Sequence, residues 1–320
     1  MPTSLRALVT GGAGFIGSHV ADALIAAGYR VDVLDDLSRG LREQVPAGAR
    51  LHQFDIRSPE AAALVRDGAF DVICHLAAQI DVRVSVADPV ADASRNILGT
   101  LNLLEAARSA TRPPRFVFSS TGGAVYGDLA VPPSVEDEPK NPESPYGVGK
   151  LAVEYYLGYY GRVHGLETIA LRYANVYGPR QDAHGDAGVV AIFCGRLLEG
   201  RSLTVFGTGE QTRDYVYVGD VAAANVRAAR AELPAAGRVD VRAYNIGTGV
   251  PTSVLALART LQQVAGTSLP VELAPPRRGE QQRSFVAIAK AARDLGWSPA
   301  HSLADGLATT FAWFRAAATC

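Results

Sequence analysis

Short apolar runs and helix-spaced apolar positions alternate along the first half of the chain. Ala7-Leu8-Val9 and Val31-Asp32-Val33-Leu34-Asp35 read as buried strands. Between them Ile16, Val20, Leu24 and Ala27 recur at helical spacing, and Gly28 supplies a helix stop. Further strand-like runs follow at residues 72–76, 116–118 and 168–171. Helical patterns over 94–108 and 146–163 separate them. Strand, helix, strand in repetition predicts an α/β fold built on a doubly wound parallel sheet covered on both faces. Such sheets take ligands at the carboxyl ends of their strands. Residues 131–145, rich in Pro and acid, read as a long loop. Beyond Asn175 the regularity fades and Gly, Pro and Arg become frequent. That predicts a smaller second domain, with the chain returning to the first between Tyr215 and Thr248.

Two motifs sit where the strands end. Gly11, Gly14 and Gly17 follow the first strand and open a helix. Gly11 allows a tight turn, Gly14 lets backbone approach a pyrophosphate, and Gly17 permits close helix–strand packing. The helix N-terminus then offers free N–H groups to phosphates. Asp35 ends the next strand, eighteen residues beyond Gly17, where a carboxylate can hydrogen-bond an adenosine ribose and repel a 2′-phosphate. NAD is therefore expected rather than NADP. The second motif is Ser119-Ser120-Thr121 followed by Tyr146 and Lys150, which share one helix face. A lysine ammonium about 4 Å from the phenol is worth roughly 4 kcal/mol at an effective dielectric near 20. Tyr146 is thus expected to work as a general acid–base near neutral pH, its pKa lowered by Lys150.

Composition narrows the partners. The 320 residues carry 31 basic and 32 acidic side chains, so no basic surplus exists to neutralise nucleic-acid phosphates. Three scattered cysteines, Cys74, Cys194 and Cys320, fit neither a disulfide framework nor a zinc site, which points to a reducing cytoplasm. Apolar segments break before 18 residues, so no membrane span is expected. His75, His164 and His184 have no metal-ligand partners in register, and no metal is expected.

These motifs, with His75-Leu76-Ala77-Ala78-Gln79, Ser144-Pro145-Tyr146, residues 171–180 and Thr212-Arg213-Asp214-Tyr215, resemble the extended short-chain dehydrogenase/reductase family. Within it the chain is similar to the nucleotide-sugar epimerases, above all the bacterial UDP-glucose 4-epimerases. The resemblance implies a Rossmann-type NAD-binding domain over 1–174 plus about 216–248. A smaller C-terminal α/β domain, 175–215 plus 249–320, would bind the nucleotide sugar. It implies tightly bound NAD, a UDP-sugar substrate and a homodimer, the tyrosines at 155, 156, 159 and 160 lying on the pairing helix.

Residue roles follow from the same resemblance. Tyr146 would be the base at the sugar C4 hydroxyl, Lys150 its electrostatic partner and a ribose ligand, and Thr121 a donor to the same oxygen. Beside Gly11, Gly14 and Gly17, the cofactor would meet Phe15 and Ile16. Its ribose and adenine would meet Asp35, Asp36, Ser38, Arg39 and Gly40, then Asp55 and Ile56. Leu76, Ala77, Ala78, Gln79, Asn96 and Tyr173 would complete that side. The substrate would meet Gln79, Asn175, Val189, Val190 and Phe193. It would also meet Thr204, Val205, Phe206 at the uracil, Arg213, Arg277, Glu280 and Ser284.

The implied reaction is 4-epimerisation through a transient 4-keto sugar. Gly122 stands where dehydratases and decarboxylases of the family carry an acid. Ser284 stands at a gate position, where a small residue leaves room for an N-acetyl group. Glucuronate as the sugar, a nucleotide-sugar reductase and an NAD-sensing binding protein are the alternative readings. Asp182 argues against glucuronate by charge.

Overall fold

The computed structural model of the chain describes residues 4–183, 188–276 and 281–318. Its first strands are β1 (Arg6–Thr10), β2 (Arg30–Leu34), β3 (Arg50–His52), β4 (Val72–His75), β5 (Arg115–Thr121) and β6 (Thr168–Tyr173). Shorter strands follow: β7 (Asn175–Tyr177), β8 (Leu203–Phe206), β9 (Thr212–Arg213) and β10 (Tyr215–Tyr217). The chain then returns with β11 (Ala243–Ile246), before β12 (Thr252–Ser253), β13 (Val271–Ala274) and β14 (Arg283–Ser284). Seven strands form one sheet in the order β11-β6-β5-β4-β1-β2-β3, every pair parallel. The order reverses between β1 and β4, which opens a crevice at their carboxyl ends.

Helices cover both faces, as a parallel sheet requires. On one face α1 (Phe15–Ala26) and the later α8 (Val218–Arg230) bury Val20, Leu24, Val221 and Ala228 against Val9, Val33 and Leu171. On the other, α2 (Pro59–Asp67), α5 (Gly99–Ser109) and α6 (Pro145–His164) bury Val65, Leu103, Leu104, Val153 and Leu157 against Leu8, Ile73 and Phe116. Each such side chain contributes about 1.5–3 kcal/mol relative to exposure. Strands buried on both sides therefore read as unbroken apolar runs. Between β4 and α5 lie α3 (Val82–Ala87), α4 (Pro89–Ala93) and a π-helical turn, Ser94–Leu98.

The second half is more ordered than its composition suggests. Helices α7 (Val189–Leu198), α9 (Val254–Ala265) and α11 (Leu303–Ala317) enclose a separate core of Phe193, Leu203, Val205, Leu257, Leu261 and Phe311. Helix α10 (Ala289–Leu295) departs from the expected division, because Ala291, Leu295 and Trp297 pack into the core beneath α1 and α8. The tie is polar as well: Trp297 Nε1 donates to the Asp220 carbonyl at 2.9 Å. Two- to four-residue strands separated by Gly and Pro leave no periodicity to read. That is why β7 to β10 and β12 to β14 escape sequence analysis.

Candidate active site

The crevice between β1 and β4 is walled by glycine. Gly11 has φ +69°, and a Cβ there would lie 2.7 Å from the Ala77 amide nitrogen. A Cβ at Gly17 would stand 2.0 Å from the Gly11 carbonyl oxygen. Side chains at either place would push the turn off the sheet. Gly14 is the N-cap of α1 and makes no side-chain cap hydrogen bond. The first-turn N–H groups of Phe15, Ile16 and Gly17 are thus left to an anion.

Asp35 follows β2 rather than ending it, and is buried. It accepts from the Ala13 N–H at 3.0 Å and the Leu37 N–H at 2.9 Å. Burial raises its pKa above the usual carboxylate range, those two bonds opposing the rise. Each oxygen keeps a further lone pair for a hydroxyl. Gly40 lies against it, for a Cβ there would meet Asp35 Oδ1 at 2.8 Å. Asp36, Ser38 and Arg39 are exposed, with Ser38 donating to Asp36 through both its N–H and its hydroxyl. Asp55 is held well below the usual range by the Arg57 guanidinium, 2.5 Å away. Ile56 packs beside Gly99. These residues line a path from the glycine turn over the carboxyl ends of β2 and β3.

Across the crevice a directed chain of hydrogen bonds holds the segment after β4. The Ala77 N–H donates to Thr10 Oγ1, which donates to His75 Nδ1 at 2.6 Å. Thr100 Oγ1 donates to the Asn96 carbonyl, so it must accept from His75 Nε2. His75 is therefore neutral with its proton on Nε2, and burial pushes its pKa down to about 3. Leu76 and Ala78 flank Ala77 and are half-buried. Gln79 donates its N–H to Asn96 Oδ1 at 2.8 Å and its Nε2 to Asp92 Oδ1 at 2.9 Å.

Helix α6 starts where local chemistry dictates. Ser144 caps it by accepting the Gly147 N–H, and Pro145 occupies the first turn. Tyr146 and Lys150 then face the sheet one turn apart. Lys150 is buried, its Nζ donating to the Ser119 carbonyl at 2.8 Å, 4.7 Å from the Phe118 ring and 5.8 Å from the Tyr146 ring. Burial pushes Lys150 down to about 8, with Asp92 and Glu154 opposing the fall.

The expected lowering of Tyr146 is not found. Burial raises the phenol above its ordinary value and Asp92 adds to the rise. Desolvation outweighs the field of Lys150, and the Asp92 carboxylate offsets part of that field.

Thr121 ends β5 opposite Tyr173 on β6. Gly123 brings Thr121 Oγ1 and Asn175 Oδ1 together, each 3.9 Å from where its Cβ would be. At Gly122 a Cβ would come within 3.0 Å of Val286 and 3.2 Å of the Arg172 carbonyl. A larger residue there would need the Val286 side chain to give by a few tenths of an ångström. Tyr173 lies in the core, its hydroxyl accepting from Asn225 Nδ2.

On the other lobe Ser284 pairs with Arg213 in the β9–β14 ladder. Asp214 does not form a surface pair with Arg213. It is buried and accepts from the Thr248 N–H, the Thr248 hydroxyl and the Gly249 N–H. Phe206 lines a cavity of about 370 Å³ with Gly207, Thr208, Gln211, Pro276 and Gln282. Thr204 and Val189 are half-buried. Val190, Phe193 and Val205 point into the core of this lobe, so their side chains face no open surface. Arg277, Glu280 and His184 lie outside the described residues. Sequence reasoning gave no role to Asp92, Glu154 or Ser85, whose Oγ accepts from the Tyr146 N–H at 3.3 Å. Two of them carried a signal: Asp92 precedes Asn96 by one helical turn, and Glu154 follows Lys150 by one.

A glycine-walled dinucleotide crevice beside a Tyr–Lys pair defines a Rossmann-type enzyme class. The chain belongs to the NAD dependent epimerase/dehydratase family, whose model matches residues 7–247. It is 45% identical to a UDP-glucose 4-epimerase of Mycolicibacterium smegmatis, over 97% of this chain and 99% of that one. Among solved structures it resembles the UDP-glucose 4-epimerase of Thermotoga maritima with UDP-glucose. There the TM-score is 0.92 at 44% identity, covering 98% of this chain and 100% of the other. The Thermus thermophilus UDP-glucose 4-epimerase in complex with NAD gives a TM-score of 0.89 at 43% identity, with coverage of 98% and 100%. Among the described residues no helix is long and apolar enough to cross a membrane.

Proposed function

We propose that this chain is an NAD-dependent UDP-sugar 4-epimerase that interconverts UDP-glucose and UDP-galactose. The observation that carries the reading is the Tyr146–Lys150 pair, with Gly122 supplying no side-chain acid for a dehydration. The glycine turn, the free first turn of α1 and buried Asp35 fit a dinucleotide with an unmodified ribose. Bound there, NAD would supply the acceptor and then the donor for the C4 hydride.

The chain's own groups handle the proton and the geometry. Tyr146 takes the proton of the C4 hydroxyl and gives it back, and Thr121 holds the same oxygen. Lys150 steadies the charge on the phenol and binds the ribose. A buried phenol with a raised pKa needs a cation beside it to become a base. A bound nicotinamide cation would add to Lys150 in that respect. Asn175 and Arg213, with Arg277, hold the diphosphate, a task for which guanidinium geometry is suited. The cavity beside Phe206 takes the uracil. Ser284 is small, so UDP-N-acetylglucosamine is admitted as well.

Residues 1–174 with 216–248 hold the cofactor, and 175–215 with 249–320 hold the sugar nucleotide, apart from α10, which packs with the first group. Two copies pair through α6. Tyr155, Tyr156 and Tyr159 are 58%, 40% and 42% exposed, with Val148 and Val163 on the same stripe. Tyr160 instead is buried and donates to Glu105. The test is conversion: UDP-glucose and UDP-galactose, given separately to the purified protein, must reach the same final mixture.

A further inference from the structure

Asp92 is 2% exposed, and its surroundings assign it a charge partner. Its Oδ1 accepts from Gln79 Nε2 at 2.9 Å and Asn96 Nδ2 at 3.0 Å. Asn96 in turn grips the Gln79 main chain at both its N–H and its carbonyl. One carboxylate thus ties down the segment that packs on Gly11. Its other oxygen lies against α6: a Cβ on Gly149, between Tyr146 and Lys150, would sit 3.5 Å from Asp92 Oδ2.

Neutral amides do not balance a buried charge, whose desolvation costs several kcal/mol when uncompensated. The charged and titratable groups on the surrounding elements are few. Over residues 145–154 of α6 these are Tyr146, Lys150 and Glu154, and on β4 the neutral His75. Around α3 they are Asp81, Arg83 and Asp88, and on the π-helical turn Arg95. Arg83 is 71% exposed and paired with Asp81, while Arg95 and Asp88 are exposed. Glu154 is already neutralised by Arg172, which donates to both its oxygens. Lys150 is the buried cation of this set, and its own close polar contact is the uncharged Ser119 carbonyl.

We propose that Asp92, which makes no direct ion pair with Lys150 but lies against the same turn of α6, is its countercharge, and through it a positioning residue for the Tyr146–Lys150 pair. The electrostatics agree: Asp92 opposes the fall of Lys150 and reinforces the rise of Tyr146. The catalytic part of the proposal rests on the epimerase reading, but the charge coupling does not.

The chain contains three lysines, Lys140, Lys150 and Lys290, so ¹³Cε-lysine labelling gives three signals, and Lys150→Arg identifies the relevant one. Titrated in the protein as purified, Lys150 should lose its proton near pH 8. Removing a negative charge disfavours the protonated amine, so Asp92→Asn should lower that midpoint by about one pH unit or more. Asp92→Glu, which keeps the charge, should leave it near the wild-type value. The alkaline limb of kcat for UDP-glucose should move down with the Asp92→Asn midpoint. A midpoint unmoved in Asp92→Asn overturns the proposal, even if activity falls. If Asp92→Asn does not fold, Asp92→Ser carries the same expectation and the same refutation. Absence of any epimerase activity in the wild type would instead strike at the functional reading, and the titration would still decide the charge coupling.

Discussion

Glu154 and Arg172 form an ion pair sealed from solvent, Nη2 to Oε2 at 2.6 Å, one helical turn beyond Lys150. Ser120, the neighbour of Thr121, donates to the same carboxylate at 2.5 Å. The guanidinium also donates to Tyr126 Oη, the Glu136 carbonyl and Asp240 Oδ1. The 126–140 segment, β5, β6 and α6 thereby meet at one buried charge. The Tyr–Lys stripe continues into the fold's polar anchor.

Glu154→Gln leaves a fully buried guanidinium short of its main countercharge. Breaking one side of such a pair costs about 3–5 kcal/mol. Urea unfolding should show that loss. The double variant Glu154→Leu/Arg172→Met, which removes both charges, should be more stable than the single one. Equal stability of the two would contradict the account.

Acid should weaken the fold through His75. Its folded-state pKa is depressed, to about 3, so the unfolded chain binds the extra proton first. The stability of the neutral form is fully present above about pH 6.5 and is lost as pH falls towards 3. Between pH 7 and pH 5 the loss should be about 2 kcal/mol. His75→Gln should be less stable at pH 7, yet lack that part of the slope in unfolding measured at both pH values.

Gly17→Ala places a methyl carbon against the Gly11 carbonyl. The turn must shift, and the first turn of α1 moves off the phosphates. The variant should retain NAD through gel filtration at least about tenfold less well, a modest cost of about 1.4 kcal/mol. Full retention would mean that the cofactor does not rest on this turn.

The long parallel strands and α6 were legible because burial on both faces writes itself as apolar runs and helix spacing. The glycine turn, Asp35, Tyr146 and Lys150 were legible because each is a local pattern in one stretch of chain. Glu154 and Arg172 were not, since their meaning lies in partners 18 to 68 residues away, and Asp92 only in part, its bonds running to Asn96 one turn on and to Gln79 13 residues back. The same holds for α10, whose apolar positions say that it is buried but not against which lobe. The lowered Tyr146 was inferred from one charge, whereas its pKa answers to burial and to Asp92 as well.

Tyr155, Tyr156 and Tyr159 leave a large apolar stripe on α6 open to solvent. Tyr155→Glu/Tyr159→Glu should convert a dimer into a monomer in sedimentation equilibrium. Circular dichroism should remain unchanged, because neither side chain belongs to a core. A wild-type protein already monomeric at micromolar concentration would rule out this interface.

The central claim is that Tyr146 moves the C4 proton of a UDP-sugar while the protein carries its own NAD. Proton NMR of UDP-glucose, UDP-N-acetylglucosamine and UDP-glucuronate, each incubated with purified protein and no added nucleotide, tests it most directly. Tyr146→Phe runs alongside. The account expects a new anomeric signal for the galacto epimer in the UDP-glucose tube and, by the small Ser284, in the N-acetylated one. In Tyr146→Phe it expects a rate lower by about 10²–10⁴-fold. Unchanged spectra from protein that holds NAD, or equal rates in Tyr146→Phe, would contradict it.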